Sequence, residues 1–153
     1  MNKNLIVSSA DNKYSLLIEE LYQSTLKLKN YDFAILDCGL DQNIIEKFKN
    51  RGIDVKIPNW EVSIPSYKIR NRNYLKAQFS RFYLHEYFPG YENYFWLDSD
   101  TWINCPETFQ HYLKGVNEKG FAICPQIDRA SSKLLNIKWF LNFPLKINSI
   151  NYK

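Results

Sequence analysis

Four consecutive apolar residues, Phe33-Ala34-Ile35-Leu36, stand between Asp32 and Asp37. A strand with one wet face alternates apolar and polar side chains. An unbroken apolar run belongs to a strand covered on both faces, which is the habit of parallel sheets. Leu5-Ile6-Val7 and Tyr94-Phe95-Trp96-Leu97 are runs of the same kind, and helical spacing lies between them. From Lys13 to Leu28 the apolar positions are Leu17, Leu21 and Leu28, with Tyr14, Ile18 and Leu26 beside them and polar residues opposite. Strands alternating with helices imply an α/β fold, a mainly parallel sheet with helices on both faces.

The punctuation between these elements sets their order. The first strand, Leu5 to Ser9, runs into Ser8-Ser9-Ala10-Asp11-Asn12, which is loop chemistry followed by a helix N-cap. Asp32 to Cys38 is the second strand, Gln42 to Asn50 a helix stopped by Gly52, and Ile53 to Ile57 a third strand. Two prolines and the lack of a clean period make Pro58 to Asn71 an irregular loop. A continuous helix is expected over Asn73 to Phe88, then the strand at Tyr94, a helix from near Glu107, and a further strand from Gly120 to Cys124 ended by Pro125. Gln126 to Lys153 holds an apolar group, Leu134 to Phe143, and a polar tail. The length, 153 residues, suits a single domain over 1–153.

Composition excludes several classes. With 45% hydrophobic and 16% aromatic residues the chain is not disordered. No apolar run approaches the roughly 20 residues of a membrane span. Met1-Asn2-Lys3-Asn4 followed only by Leu5-Ile6-Val7 is too short for a signal-peptide core, so the expected compartment is the cytoplasm. Cys38, Cys105 and Cys124 are far apart, which argues against a disulfide framework and for buried, reduced thiols. The net charge of +4 comes with one denser basic patch at Lys68, Arg70, Arg72 and Lys76. That is too little for a nucleic-acid face. It suits a phosphorylated small molecule and a peripheral lean on an anionic membrane equally well.

Two features carry chemistry. On the expected helix from Asn73, at about 100° per residue, Arg81 falls in the arc of Tyr74, Ala77, Leu84, His85 and Phe88. A guanidinium placed there calls for an anionic partner, although a structural ion pair or a snorkelling side chain also satisfies the pattern. The second feature is Asp98-Ser99-Asp100, two carboxylates just beyond a buried strand, at the sheet end where α/β folds gather their ligands. Their mutual repulsion is relieved by a hard divalent cation, which leaves positions open for phosphate oxygens. The bland alternative is an Asx-type turn that caps backbone groups.

Three separated segments resemble GT-A glycosyltransferases, family 8 in particular. Ala10-Asp11-Asn12-Lys13-Tyr14 is similar to the family's nucleotide-binding loop. Lys76-Ala77-Gln78-Phe79-Ser80-Arg81-Phe82 is similar to the helix whose arginine reaches the donor. Tyr94-Phe95-Trp96-Leu97-Asp98-Ser99-Asp100-Thr101 is similar to the metal motif with its strand. The resemblance implies a GT-A architecture and a UDP-sugar as donor, with a saccharide or glycan as acceptor. It implies Mn²⁺ or Mg²⁺ held by Asp98 and Asp100, and donor contacts from Ser9, Ala10, Asp11, Asn12, Tyr14, Arg81 and Ser99. The same resemblance implies that Arg81 and Asp100 are the catalytic pair, that Asp11 and Tyr14 read the base, and that the anomeric configuration is retained.

Leu97-Asp98-Ser99-Asp100-Thr101 also fits the first motif of haloacid-dehalogenase-like phosphatases. Those enzymes open their sheet with it and complete the site with a later lysine and further aspartates. Here it follows three strands, and beyond Asp100 the only acidic residues are Glu107, Glu118 and Asp128. The family 8 pattern has its own gap, a C-terminal metal-binding histidine with most of the acceptor site. Neither His85 nor His111 matches that histidine, and His111 reads as an exposed helix residue. A truncated or reduced relative is therefore expected, one that binds a donor better than it transfers a sugar. The alternative is a non-catalytic fragment that binds nucleotide or a partner protein.

Overall fold

The computed structural model of the protein describes residues 3–69, 72–124, 133–140 and 143–151. The chain divides into two compact units, Met1–Thr108 and Phe109–Lys153. In the first, strands β1 (Asn4–Ala10), β2 (Tyr31–Asp37), β3 (Asp54–Lys56) and β4 (Asn93–Trp96) form one sheet in the order β3-β2-β1-β4. All three pairings are parallel. That is the sheet the unbroken apolar runs require.

Register sorts the side chains into two faces. Val7 lies opposite Ala34 on one side and Trp96 on the other, and Ser9 lies opposite Leu36. Leu5, Val7, Ala34 and Leu36 therefore share a face and form a core cluster with Leu84 and Phe88. Ile6, Phe33 and Ile35 belong to the opposite face, with Ile6 and Ile35 fully buried. There helix α1 (Ser15–Thr25) contributes Ile18 and Leu21, and α2 (Gln42–Lys49) contributes Phe48, all at 0% exposure. Tyr22 bridges the layers, 5.5 Å from the Phe33 ring and 6.1 Å, edge-on, from Phe48. Over β1 and β2 both faces are dry, so neither of these two strands alternates.

Helix α2 stops where Gly52 takes φ +79, a left-handed conformation that spares a Cβ clash. Two expectations for this unit need correction. The segment 58–71 contains a short helix, α3 (Ser66–Ile69), in a stretch read as irregular. The continuous helix over 73–88 is two pieces, α4 (Leu75–Ser80) and α5 (Leu84–Tyr87). At the break, Phe82 N–H donates to Phe79 and Tyr83 N–H to Ser80, so the ladder tightens to three-residue steps and lapses. No Gly or Pro marks the break. Tertiary bonds hold it instead: the Tyr87 hydroxyl donates to Glu61, accepts from the Asn59 N–H at 2.7 Å and lies 3.5 Å from Ser80 Oγ.

In the second unit, α6 (Thr108–Lys119) is followed by Phe121–Cys124, which is not a strand as expected. Phe121 and Ile123 are exposed. Strands β5 (Lys133–Phe140) and β6 (Phe143–Asn151) form an antiparallel pair across the segment whose sequence showed only an apolar group. Pro125 lies outside the described residues, as do Arg70 of the basic patch and the opening Met1-Asn2. The cysteines also correct the sequence expectation. Cys38 is buried, but Cys105 and Cys124 are exposed, and none is in a disulfide. His111 is exposed, as expected. Among the described residues no helix is long and apolar enough to cross a membrane.

Candidate functional site

Parallel strands bring their following loops to one end of the sheet, and three such loops meet there in the first unit. Past β1, Asp11 turns the chain. Its side chain accepts the Lys13 N–H at 3.0 Å and caps a 3₁₀ turn, Asn12–Tyr14, that leads into α1. Past β2, Asp37 Oδ1 accepts from the N–H groups of Gly39 and Leu40 at 2.8 and 2.7 Å. The two loops are laced together. Cys38 N–H donates to the Ala10 carbonyl and Asn12 N–H to the Gly39 carbonyl, both at 2.9 Å, and Asn12 Nδ2 donates to Asp41 at 2.7 Å.

A cavity of about 280 Å³ opens beside this lacing, lined by Asp11, Asn12, Lys13, Cys38, Gly39, Asn73 and Tyr74. Tyr14 is not part of its lining and is 45% exposed. The aromatic ring in the cavity is Tyr74, which the helical wheel had assigned to an apolar arc. The turn ahead of α4 carries it there, and no local signal in the sequence distinguishes that placement from core packing. Asp11, Asn12 and Lys13 supply polar groups from one wall.

The Cys38 thiol belongs to the same wall. Burial raises its pKa to about 11, and the negative charges of Asp37 and Asp11 push the same way. The Ala77 backbone and Lys76 oppose the shift without cancelling it. The thiol is therefore neutral at physiological pH and forms a small apolar element of the wall.

Past β4 the chain makes the turn that carries the two carboxylates. Leu97 N–H still donates to the Val7 carbonyl at 3.1 Å, which anchors the turn to β1. The Asp98 carbonyl accepts from the N–H and the hydroxyl of Thr101 at 3.0 and 2.6 Å. Within that frame Ser99 is buried while Asp98 and Asp100 are exposed. Neither carboxylate forms an ion pair among the described residues, so two hard oxygen donors face outward. The segment beyond is pinned to α1, because Ile103 N–H donates to Ser24 Oγ at 3.1 Å.

Arg81 closes α4 beside this turn. Its guanidinium carbon lies 4.9 Å from the centre of the Trp96 ring, Gln78 accepts one of its terminal N–H groups, and its buried Nε has no hydrogen-bond partner among the described residues. The wheel placed Arg81 among apolar neighbours for a helix that does not continue. The residue is half-buried all the same, with an aromatic face as its support. Ser9 and Ala10 are the last two residues of β1, one half-buried and one buried, and they set the level from which the Asp11 turn departs.

A larger cavity, about 690 Å³, lies away from these carboxylates, around the amino ends of β1 and β2. Its walls include Tyr31, Asp32, Arg51 and Tyr91 but no aspartate of the turn after β4. In parallel α/β sheets the carboxyl end is where ligands bind.

Comparison with protein families matches residues 5–137 to glycosyl transferase family 8. The chain belongs to that family. The match spans all four strands of the parallel sheet and the three loops that meet at their carboxyl ends. A family 8 glycosyltransferase domain with this sheet has the α/β, GT-A-type architecture expected from the sequence. No curated protein matches the chain.

Proposed function

We propose that this family 8 domain takes a UDP-sugar as donor and, with Mn²⁺ or Mg²⁺, transfers its hexose to a saccharide or glycan acceptor hydroxyl. The observation that carries this reading is the turn after β4, with Asp98 and Asp100 exposed on either side of buried Ser99. Two outward carboxylates suit a hard divalent cation. Among the described residues no group of three or more His, Cys, Asp or Glu could hold a metal, so within them the donors of this turn are Asp98 and Asp100. A cation held by them neutralises charge on the donor's diphosphate when bound.

The chain's own groups have separable tasks. Asp98 and Asp100 supply oxygen donors. Arg81, with a buried N–H unpartnered among the described residues and its guanidinium over the Trp96 ring, offers positive charge to the charge that develops on the leaving phosphate. Asp11 keeps one carboxylate oxygen for its own turn and has the other for the base edge. Tyr14 and Tyr74 are the aromatic rings nearest that carboxylate in the chain and in the cavity, respectively. Ser9, Ala10, Asn12 and Ser99 hold the loops in register and complete the donor contacts. Retention of anomeric configuration follows the family resemblance and rests on no residue described here.

The test is calorimetric titration of UDP and several UDP-sugars with Mn²⁺ and with EDTA, followed by a UDP-release assay with saccharide acceptors. Metal-dependent binding of UDP in the micromolar-to-millimolar range, roughly −8 to −4 kcal/mol, is the expected result. Equal affinities with Mn²⁺ and with EDTA would overturn the reading.

A further inference from the structure

We infer that Trp96 is a positioning residue that orients Asp98 for the cation and Arg81 for the diphosphate through opposite parts of one indole ring. The inference rests on the donor-site reading above and adds to it a residue with no direct contact to donor or metal.

The geometry comes from three contacts. Trp96 is the last residue of β4, opposite Val7, and packs against the cluster of Leu5, Val7, Leu84 and Phe88. That packing fixes the ring. Its Nε1–H donates to Asp98 Oδ1 at 2.9 Å. Its face carries the Arg81 guanidinium at 4.9 Å. A carboxylate on an exposed turn otherwise samples several rotamers. A donor from a half-buried ring packed against the core selects one of them and leaves Oδ2 for a cation. Groups that orient a metal ligand in this way change metal affinity by about 10–100-fold when removed.

The same ring sets where the positive charge sits. A guanidinium over an indole face is attracted by the ring's quadrupole, an attraction that strengthens as water is excluded. Arg81 thus stands beside the carboxylate turn without being neutralised by it. A direct Arg81–Asp98 ion pair would occupy both groups; the intervening indole keeps both available. Phenylalanine at this position preserves the strand and most of the packing but has no N–H to give. Any aliphatic residue loses the platform for Arg81 as well.

The experiment is a double-mutant cycle on the full chain, read by calorimetry of UDP with Mn²⁺ and by binding of Mn²⁺ alone followed by electron paramagnetic resonance. Trp96→Phe should lower Mn²⁺ affinity about tenfold in the wild-type background. It should have little further effect in an Asp98→Asn background, because the bond it removes no longer orients a metal ligand. Trp96→Leu should in addition weaken UDP binding measured without metal, through Arg81. A thermal melt of each variant separates folding from positioning, since a merely structural role lowers Tm and depresses binding by the same factor in both backgrounds. That equal-factor result, or wild-type Mn²⁺ affinity in Trp96→Phe, overturns this inference alone. A wild-type chain with no Mn²⁺-dependent UDP binding overturns the donor-site reading and this inference with it.

Discussion

The guanidinium carbon of Arg81 lies 4.9 Å from the centre of the Trp96 ring, and the Nε1–H of that ring donates to the Asp98 carboxylate. The positive and negative groups of the candidate site are thus joined by an aromatic ring and not by an ion pair. A planar, delocalised cation is suited to that support, and a lysine ammonium is a more strongly hydrated point charge. Arg81→Lys is expected to weaken UDP binding by about tenfold, or 1.4 kcal/mol, and to leave uridine binding unchanged, because only the diphosphate meets the guanidinium. Equal losses for UDP and uridine in paired titrations would place Arg81 at the base and not at the phosphates.

Asp100 has the simplest assigned task. It is exposed, beyond the buried Ser99, with no ion pair among the described residues. Asp100→Asn keeps shape and volume and removes the charge, so its folded stability should stay within about 0.5 kcal/mol of wild type, the range for surface substitutions. Metal-supported UDP affinity should fall at least about tenfold, and the difference between Mn²⁺ and EDTA titrations should shrink with it. A variant that keeps the full metal dependence would move the cation elsewhere.

Gly39 holds the loop after β2 in a conformation closed to other residues. Its φ is +128, its N–H donates to Asp37 and its carbonyl accepts from Asn12. A Cβ built there would approach Asp11 Cβ at 3.9 Å, which is ordinary contact, so space is not the obstacle. Backbone strain is. Gly39→Ala should destabilise the fold by about 1–3 kcal/mol, seen as a lower denaturation midpoint with an unchanged m-value. A neutral effect would show that the loop can relax without losing the Asn12 bond.

How much of this was legible beforehand differs by element. The unbroken runs at Leu5 and Phe33 announced a parallel sheet because burial on both faces leaves no alternation, and the sheet is there. Asp98 and Asp100 could be placed at a strand end for the same reason. The break at Arg81-Phe82-Tyr83 was invisible, because it is held through the Tyr87 hydroxyl by Asn59 and Glu61, which are distant in sequence. Tyr74 was hidden likewise. A helical wheel assumes the helix continues, and the turn ahead of Leu75 carries this ring into the cavity. Phe121–Cys124 shows the converse error, since an apolar run bounded by Gly120 and Pro125 reads as a strand whether or not a partner strand exists.

Cys38 gives a prediction with a definite sign. Its thiol is buried in the wall of the smaller cavity, and burial, with Asp37 and Asp11 nearby, raises its pKa to about 11. The folded protein therefore keeps the Cys38 proton at pH values where the unfolded chain has begun to release it. The stability from that difference is whole below about pH 8.5, the ordinary thiol value. It is lost as pH rises from there toward 11. Denaturant midpoints should fall across that window, and Cys38→Ala should flatten the fall without removing the part due to other groups. The same neutral thiol should react slowly, because the thiolate is the nucleophile. At pH 8, Ellman's reagent should modify the exposed Cys105 and Cys124 promptly and Cys38 only on unfolding. Raising the pH should speed the third reaction, and bound UDP should slow it if Asp11 and Tyr74 close on the base. Three thiols reacting together at pH 8 would mean that the cavity wall opens freely, and the loops laced by Asn12 and Gly39 would then be too mobile to hold a nucleotide.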